Sequence, residues 1–338
     1  MQPLPTIQPK EKRIRNNAEA SSGISKKSCL QEAQRCPQCT EPVCNSGCPL
    51  GIDIPAFIRL LREGNAPAAL QKIKEQNEFP SICGRVCLAP CESACVFAKE
   101  DAPIGIRALE RYAADHGRAA LGAGRKAHKP TGKKIAIIGS GPAGLTAAAQ
   151  LARRGFQVTI FESLPLAGGV LRYGIPEFRL PREILETELQ DLKNSGIEIR
   201  TNTHIGQTIS LSELSKQGFS ATLLTIGGGA PKFSDLPGTQ FAGVYYAPEL
   251  LIPFNLSSLS AAKKQLPFPL GRKVIVVGTS SAALDVARVC RRLEREVTCV
   301  LPMTEEDLNA YPADLIQARE EGVEIESLTT PLEILGSD

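Results

Sequence analysis

Four cysteines fall within fourteen residues, Cys36, Cys39, Cys44 and Cys48 of CPQCTEPVCNSGCP, and four more follow at Cys83, Cys87, Cys91 and Cys95. Thiolates at this density hold a zinc ion, hold an iron-sulfur cluster, or pair as disulfides. Four-cysteine zinc sites usually come as two CxxC knuckles, and the second group, CxxxCxxxCxxxC, contains none. Disulfides need an oxidising compartment. The polar start MQPLPTIQPKEKRIRNN lacks the apolar core of a secretion signal, and no apolar run approaches the ~20 residues that span a bilayer. The chain therefore reads as cytoplasmic and without membrane association, and its clustered cysteines as metal ligands. A [4Fe-4S] cluster takes several thiolates converging on a cube, often with one from a remote position. In two-cluster ferredoxins the last cysteine of a run crosses to the other cluster. That pattern favours iron-sulfur over zinc or disulfides.

A second chemistry lies downstream. In KKIAIIGSGPAGLTAAAQLARRGFQVTIFES an apolar strand runs into a glycine turn, an Ala/Leu helix and a second strand ending at Glu162. Gly139, Gly141 and Gly144 form GxGxxG, with Pro142 and Ala143 opening the helix. The first glycine permits the turn, the second lets backbone approach a pyrophosphate, and the third allows close helix packing, with phosphate at the helix amino end. Glu162, about twenty residues on, is placed to accept from a ribose hydroxyl. The same grammar returns in RKVIVVGTSSAALDVARVCRRLEREVTCVLP, so the chain holds two nucleotide-binding units. In this second turn Gly278 is kept, but Ser280 stands where a glycine would admit a pyrophosphate, followed by Ser281, Ala282 and Asp285. Counting on from Gly278 as far as Glu162 lies from Gly139 reaches Leu301, so no carboxylate receives a ribose there.

These motifs need elements to carry them. A length of 338 residues allows two or three domains, and 42% hydrophobic with 22% charged residues describes a globular chain. The net charge of +3 is too small to suggest nucleic acid. Residues 1–28 read as a mobile arm with a solvated basic bias. Residues 29–118 form a helical cysteine domain, in which Phe57, Leu60, Leu61, Ala69 and Ile73 keep helical spacing broken near Gly64. A linker spans 119–132, the first nucleotide domain 133–255 and the second 256–338. Arg291, Arg292 and Arg295 read as a solvated helical face. His116, His128 and His204 carry no metal spacing.

Together, CPQCTEPVCNSGCPLGIDIPAFI, FPSICGRVCLAPCESACVFA, GSGPAG, GGVLRYGIPEFRLP and DVAR resemble the small (beta) subunit of NADPH-dependent glutamate synthase, an iron-sulfur flavoprotein, and the amino-terminal half of dihydropyrimidine dehydrogenase. The resemblance implies an α+β multidomain fold: an all-α iron-sulfur domain followed by two nested Rossmann-like α/β nucleotide-binding domains. It implies one [4Fe-4S] cluster on Cys36, Cys39, Cys44 and Cys95 and another on Cys48, Cys87, Cys91 and Glu110, leaving Cys83 and Cys29 unassigned. FAD would occupy the first nucleotide site, with Gly168, Gly169, Leu171, Arg172, Gly174, Ile175 and Pro176 near the flavin. NADPH or NADH would occupy the second. The implied activity passes electrons from NAD(P)H through FAD and the two clusters to a redox partner subunit or ferredoxin, such as the glutamate synthase large subunit.

Two features depart from that family. Relatives using NADPH carry paired arginines where this chain has Pro302 and Met303. The family's flavin domain closes with a carboxyl-terminal Gly-Asp segment not seen before Asp338, so the flavin domain reads as truncated, in a fragment or in a chain completed by a partner. The rival expectation is a non-catalytic electron-transfer or assembly subunit with a degenerate pyridine-nucleotide site.

Overall fold

The computed structural model of the chain describes residues 5–99, 102–120, 129–228, 236–257 and 266–336. Most of the expected linker lies outside them, as does the end of ATLLTIGGGAP, Ala221 to Pro231, which resembles the family's later strand and crossover to the second nucleotide domain. Two units emerge, one from Met1–Ile7, Ser21–Gly169 and Arg182–Gly227, the other from Gln8–Ala20, Val170–Pro181 and Gly228–Asp338.

In the first unit, short capped helices carry the cysteines. The Asp53 carboxylate accepts from the Ala56 amide and starts helix Ile54–Arg62, and the Asn65 side chain likewise starts Ala66–Ile73. Gly64 lies in the break between them, and Phe57, Leu61, Ala69 and Ile73 are buried as their spacing predicts, with Leu60 half-buried. Helix Ile106–Gly117 packs on Pro80–Val86 and on Ala66–Ile73.

The same unit contains a four-stranded parallel sheet of β1 (Lys134–Ile138), β2 (Gln157–Phe161), β3 (Glu198–Arg200) and β4 (Phe219–Leu224), in the order β3-β2-β1-β4. Helix Pro142–Arg153 makes the crossover from β1 to β2, as parallel neighbours require. Between the sheet and helix Leu211–Lys216, Ala136, Ile138, Phe161 and Leu214 form a core.

The second unit holds β5 (Lys273–Val277), β6 (Glu296–Val300) and β7 (Val323–Glu326), parallel in that order. Helices Ser281–Arg292 and Pro312–Glu320 connect them, and Leu284, Ala287, Val289, Cys290, Cys299 and Ala318 lie in its core.

Two expectations are corrected here. The amino-terminal arm is built into the structure: Ile7 pairs with Ser21, the Ala20 amide donates to the Phe178 carbonyl, and helix Lys10–Arg13 buries Arg13 to 3% exposure. Its Nε reaches Glu321 Oε1 at 2.9 Å. A four-residue helix has too few turns to show periodicity, and its anchor is an ion pair rather than an apolar face. The arginines of helix Ser281–Arg292 are likewise not a solvated face. Arg292 donates to Glu321 at 2.6 Å, Arg291 to the Glu321 carbonyl at 3.1 Å, and the guanidiniums of Arg288 and Arg292 lie 4.7 and 3.8 Å from the centre of the Phe178 ring. Among the described residues no helix is long and apolar enough to cross a membrane.

Candidate cofactor sites

The cysteines separate into two groups. Cys36, Cys39, Cys44 and Cys95 line one pocket, walled by Val43, Ile54 and Ile58. Burial pushes the Cys44 thiol up to about 11, and the neighbouring thiols of Cys36, Cys95 and Cys39 push the same way. Burial also raises Cys36, against the amide of Gln38, which stabilises the thiolate. Around Glu110, Cys87 and Cys91 are raised by burial, and both feel Glu110 and Cys48 as nearby negative charges. Cys83 belongs to the same neighbourhood, pushed up to about 12 by burial and then by Glu110, Cys87 and Cys48. Thiols held this far above their ordinary range ionise when a cation replaces the lost hydration, which is what bound iron supplies. The donor sets therefore fit such a group. Among the described residues, no three of His, Cys, Asp or Glu come together as a single bound ion requires.

Glu110 is buried, and its burial raises the carboxyl to about 7 against the stabilising amide of Asn77 and charge of Arg107. Arg107 also donates to the Cys87 carbonyl at 2.7 Å. The remote side chain expected near the second cysteine group thus lies beside it, on helix Ile106–Gly117. Cys29 is buried, on helix Lys26–Arg35.

The first glycine turn is built as its spacing demands. A Cβ on Gly144 would sit 2.0 Å from the Gly139 carbonyl oxygen, so the helix can approach the turn only with glycine there. On Gly169 it would meet the Gly141 Cα at 2.7 Å, whereas at Gly141 it would meet nothing within 4 Å. The open space at Gly141 is where a pyrophosphate fits, at the amino end of helix Pro142–Arg153, with Pro142 and Ala143 exposed beside it.

Sequence reasoning missed Ser140, which joins the parts of this turn. Its amide and hydroxyl donate to Glu162 Oε2 at 3.0 and 2.5 Å, while its hydroxyl accepts from the Gly168 amide at 2.9 Å. Leu164 N and Ser163 Oγ donate to Glu162 Oε1 at 2.9 and 3.3 Å. Glu162 is thus buried and fully engaged, and a ribose hydroxyl would compete with the longest of these bonds. Ser140→Ala, which removes a hydrogen bond to a buried carboxylate, is expected to cost about 1.5–3 kcal/mol in a urea titration. As the variable position of GxGxxG, Ser140 gave no signal of this role. Thr225 is a second omission: its hydroxyl donates to the Ile138 and Gly139 carbonyls and closes the turn from the exit of β4.

Of the segment expected beside the flavin, Gly168 and Gly169 fall in the first unit. Leu171, Arg172, Gly174, Ile175 and Pro176 fall in the second, where the Tyr173 carbonyl accepts from Asn255 and Arg179 pairs with Asp285 and Asp314 at 2.8 and 2.9 Å. Asp285 is buried, and burial raises its carboxyl to about 6 despite the Arg179 charge.

In the second glycine turn Gly278 opens onto Ser280, and residue 309 lies against it. The Ser281 amide, one of the first free donors of helix Ser281–Arg292, donates to the Asn309 carbonyl at 3.3 Å, and the Asn309 amide donates to the Thr279 carbonyl at 3.0 Å. Ala282 is exposed, and Leu301, where a ribose acceptor would stand, is buried with its amide on the Glu326 carbonyl.

A helical module with two groups of clustered cysteines, joined to a parallel sheet opening on GxGxxG, defines a redox protein of the iron-sulfur and dinucleotide-binding class. Residues 13–121 match the family described as dihydropyrimidine dehydrogenase domain II, 4Fe-4S cluster, and residues 133–338 match pyridine nucleotide-disulphide oxidoreductase. The chain is 36% identical over 291 residues to a glutamate synthase [NADPH] small chain of Mycobacterium tuberculosis, covering 83% of this chain and 59% of that one. It is 35% identical over 317 residues to the NAD-dependent dihydropyrimidine dehydrogenase subunit PreT of Escherichia coli, covering 91% and 73%. A structure of Mycobacterium tuberculosis FprA in complex with NADPH shares the fold at a TM-score of 0.50 and 21% identity, over 62% of each chain. The chain belongs to the pyridine nucleotide-disulphide oxidoreductase family and, within it, to the iron-sulfur oxidoreductases related to glutamate synthase small chains. It carries a domain of the 4Fe-4S cluster family followed by one of the pyridine nucleotide-disulphide oxidoreductase family.

Proposed function

We propose that this chain is the electron-input module of a larger oxidoreductase, passing electrons from NAD(P)H through FAD and two [4Fe-4S] clusters to a redox partner, either a large subunit of the glutamate synthase kind or a ferredoxin. The observation that carries this reading is the separation of the cysteines into two groups, Cys36, Cys39, Cys44 and Cys95 around one pocket and Cys48, Cys83, Cys87 and Cys91 around Glu110. Cys36, Cys39, Cys44 and Cys95 would hold one cluster, and Cys48, Cys87, Cys91 and Glu110 the other. When bound, the flavin exchanges a hydride for single electrons and the clusters store those electrons one at a time. The chain's own share is placement. The amides at Gly141 and the helix behind it bind phosphate, Ser140 and Glu162 fix the turn, and the Arg107 side chain places a positive charge beside the second cluster.

The second reading, a relay subunit that binds no pyridine nucleotide, is favoured by one observation: Asn309 occupies the Ser281 amide at the turn where the pyrophosphate would lie. The visible spectrum of anaerobically purified protein separates the two. Bleaching of flavin and cluster bands on adding NADPH or NADH supports the electron-input reading and names the donor. Bands that respond only to dithionite support the relay, and a colourless protein excludes both. Replacing Cys48 with alanine is expected to remove about half of the bound iron.

A further inference from the structure

Asn77 lies outside every motif singled out by spacing, yet it touches the second ligand group twice. Its Nδ2 donates to Glu110 Oε1 at 2.7 Å, and its Oδ1 accepts from the Phe79 amide at 3.0 Å and from the Cys83 thiol at 3.7 Å. The Phe79 amide fixes the orientation of the Asn77 side chain, because a flipped amide would set donor against donor. Asn77 is 3% exposed, so these contacts are not traded for water.

Cys48, Cys87, Cys91, Glu110 and Cys83 are electrostatic neighbours, which gives five donors for the four corners of one cluster. Thiolate is the softer ligand and the one iron-sulfur clusters select, whereas carboxylate suits harder ions. Left to ligand chemistry alone, Cys83 would take the corner from Glu110.

We propose that Asn77 is the positioning residue that settles this choice: it orients Glu110 as the fourth ligand and keeps the Cys83 thiol on its own amide oxygen. This rests on the iron-sulfur reading above. Partners behind a ligand orient it and tune the metal, and Asn77 stands in that relation to Glu110.

The test uses the full chain, reconstituted anaerobically with iron and sulfide, with iron content and the electron paramagnetic resonance spectrum of the dithionite-reduced protein as readouts. Wild type and Cys83→Ser are expected to give the same spectrum and iron content. Asn77→Asp keeps the acceptor for the Phe79 amide but removes the donor to Glu110. It is expected to retain its iron while one cluster's signal shifts as Cys83 replaces Glu110. Adding Cys83→Ser to Asn77→Asp then removes about half of the iron. Asn77→Ala, lacking both atoms, is expected to show the same shift and gives a second route should the aspartate variant not fold. An unchanged spectrum in the Asn77 variants, or a changed one in Cys83→Ser alone, overturns the proposal. Wild type that takes up no iron overturns the iron-sulfur reading itself, which no result with the variants can mimic.

Discussion

Replacing Glu321 with glutamine is expected to destabilise the unit built on β5, β6 and β7 by about 3–5 kcal/mol, the cost of leaving buried charges without their counter-ion. Glu321 is fully buried and accepts from three arginines: Arg13 at 2.9 Å, Arg288 at 2.8 and 3.0 Å, and Arg292 at 2.6 and 3.2 Å. Glutamine keeps the shape but loses the charge, leaving Arg288 and Arg292 against each other above Phe178. Glu320, half exposed, reaches only Arg13 and cannot replace it. Chemical denaturation followed by circular dichroism checks the prediction, and a loss below about 1 kcal/mol would mean that water or rearrangement screens these arginines.

The same carboxylate sets an acid limb. Burial alone would raise Glu321, but Arg288 and Arg292 outweigh it and hold the carboxyl at about 2. An unfolded glutamate titrates near 4.3, so the stabilisation is present above that pH and is lost as pH falls from about 4 towards 2. Asp285 has the opposite sign. Its folded carboxyl, raised to about 6, favours the folded state at low pH and loses that contribution as pH rises from about 4 to 6. Glu321→Gln is expected to flatten the acid limb below about pH 4 and to leave the Asp285 limb in place.

The second large effect falls on the first nucleotide turn. Gly144→Ala is expected to lower FAD affinity at least ~100-fold, which corresponds to about 2.7 kcal/mol. The added Cβ would lie 2.0 Å from the Gly139 carbonyl oxygen and 2.8 Å from Thr225 Oγ1. The oxygen is backbone and cannot swing aside, so helix Pro142–Arg153 must move away from β1, and its amino end is withdrawn from the phosphate. Gly141→Ala is the informative companion. Its Cβ meets no protein atom within 4 Å, so it should leave stability unchanged and weaken only the bound dinucleotide. Isothermal titration of the flavin-free protein with FAD, beside a urea titration, separates the two cases. Equal FAD affinity in wild type and Gly144→Ala would remove this turn from the flavin site.

Legibility in the sequence followed the distance between interacting residues. The strand, glycine turn and helix from Lys134 to Arg153 were readable because each step is local: an apolar run, a forced turn, an apolar stripe. The alternation of helices and the break at Gly64 were readable for the same reason, and cysteine spacing marked the metal-binding chemistry. What the sequence hid were the partners. Arg13 and Glu321 stand 308 residues apart and meet only after folding, so a buried strap looked like a loose basic arm. Arg292 kept the helical spacing of a surface stripe, and only the packing of Phe178 beneath it and Glu321 beside it made it interior. Asn77 and Glu110 are 33 residues apart, on different elements, and no pattern of residue types links them. The sequence by itself determined the elements, the glycine turns and the supply of thiols, because these depend on backbone sterics and local periodicity. Tertiary structure alone decided that Cys83 joins the group around Glu110, which carboxylates are bound by arginine, and which amide stands behind Glu110. Those depend on burial, which withdraws water from a charge and leaves it to whichever side chain the fold brings near.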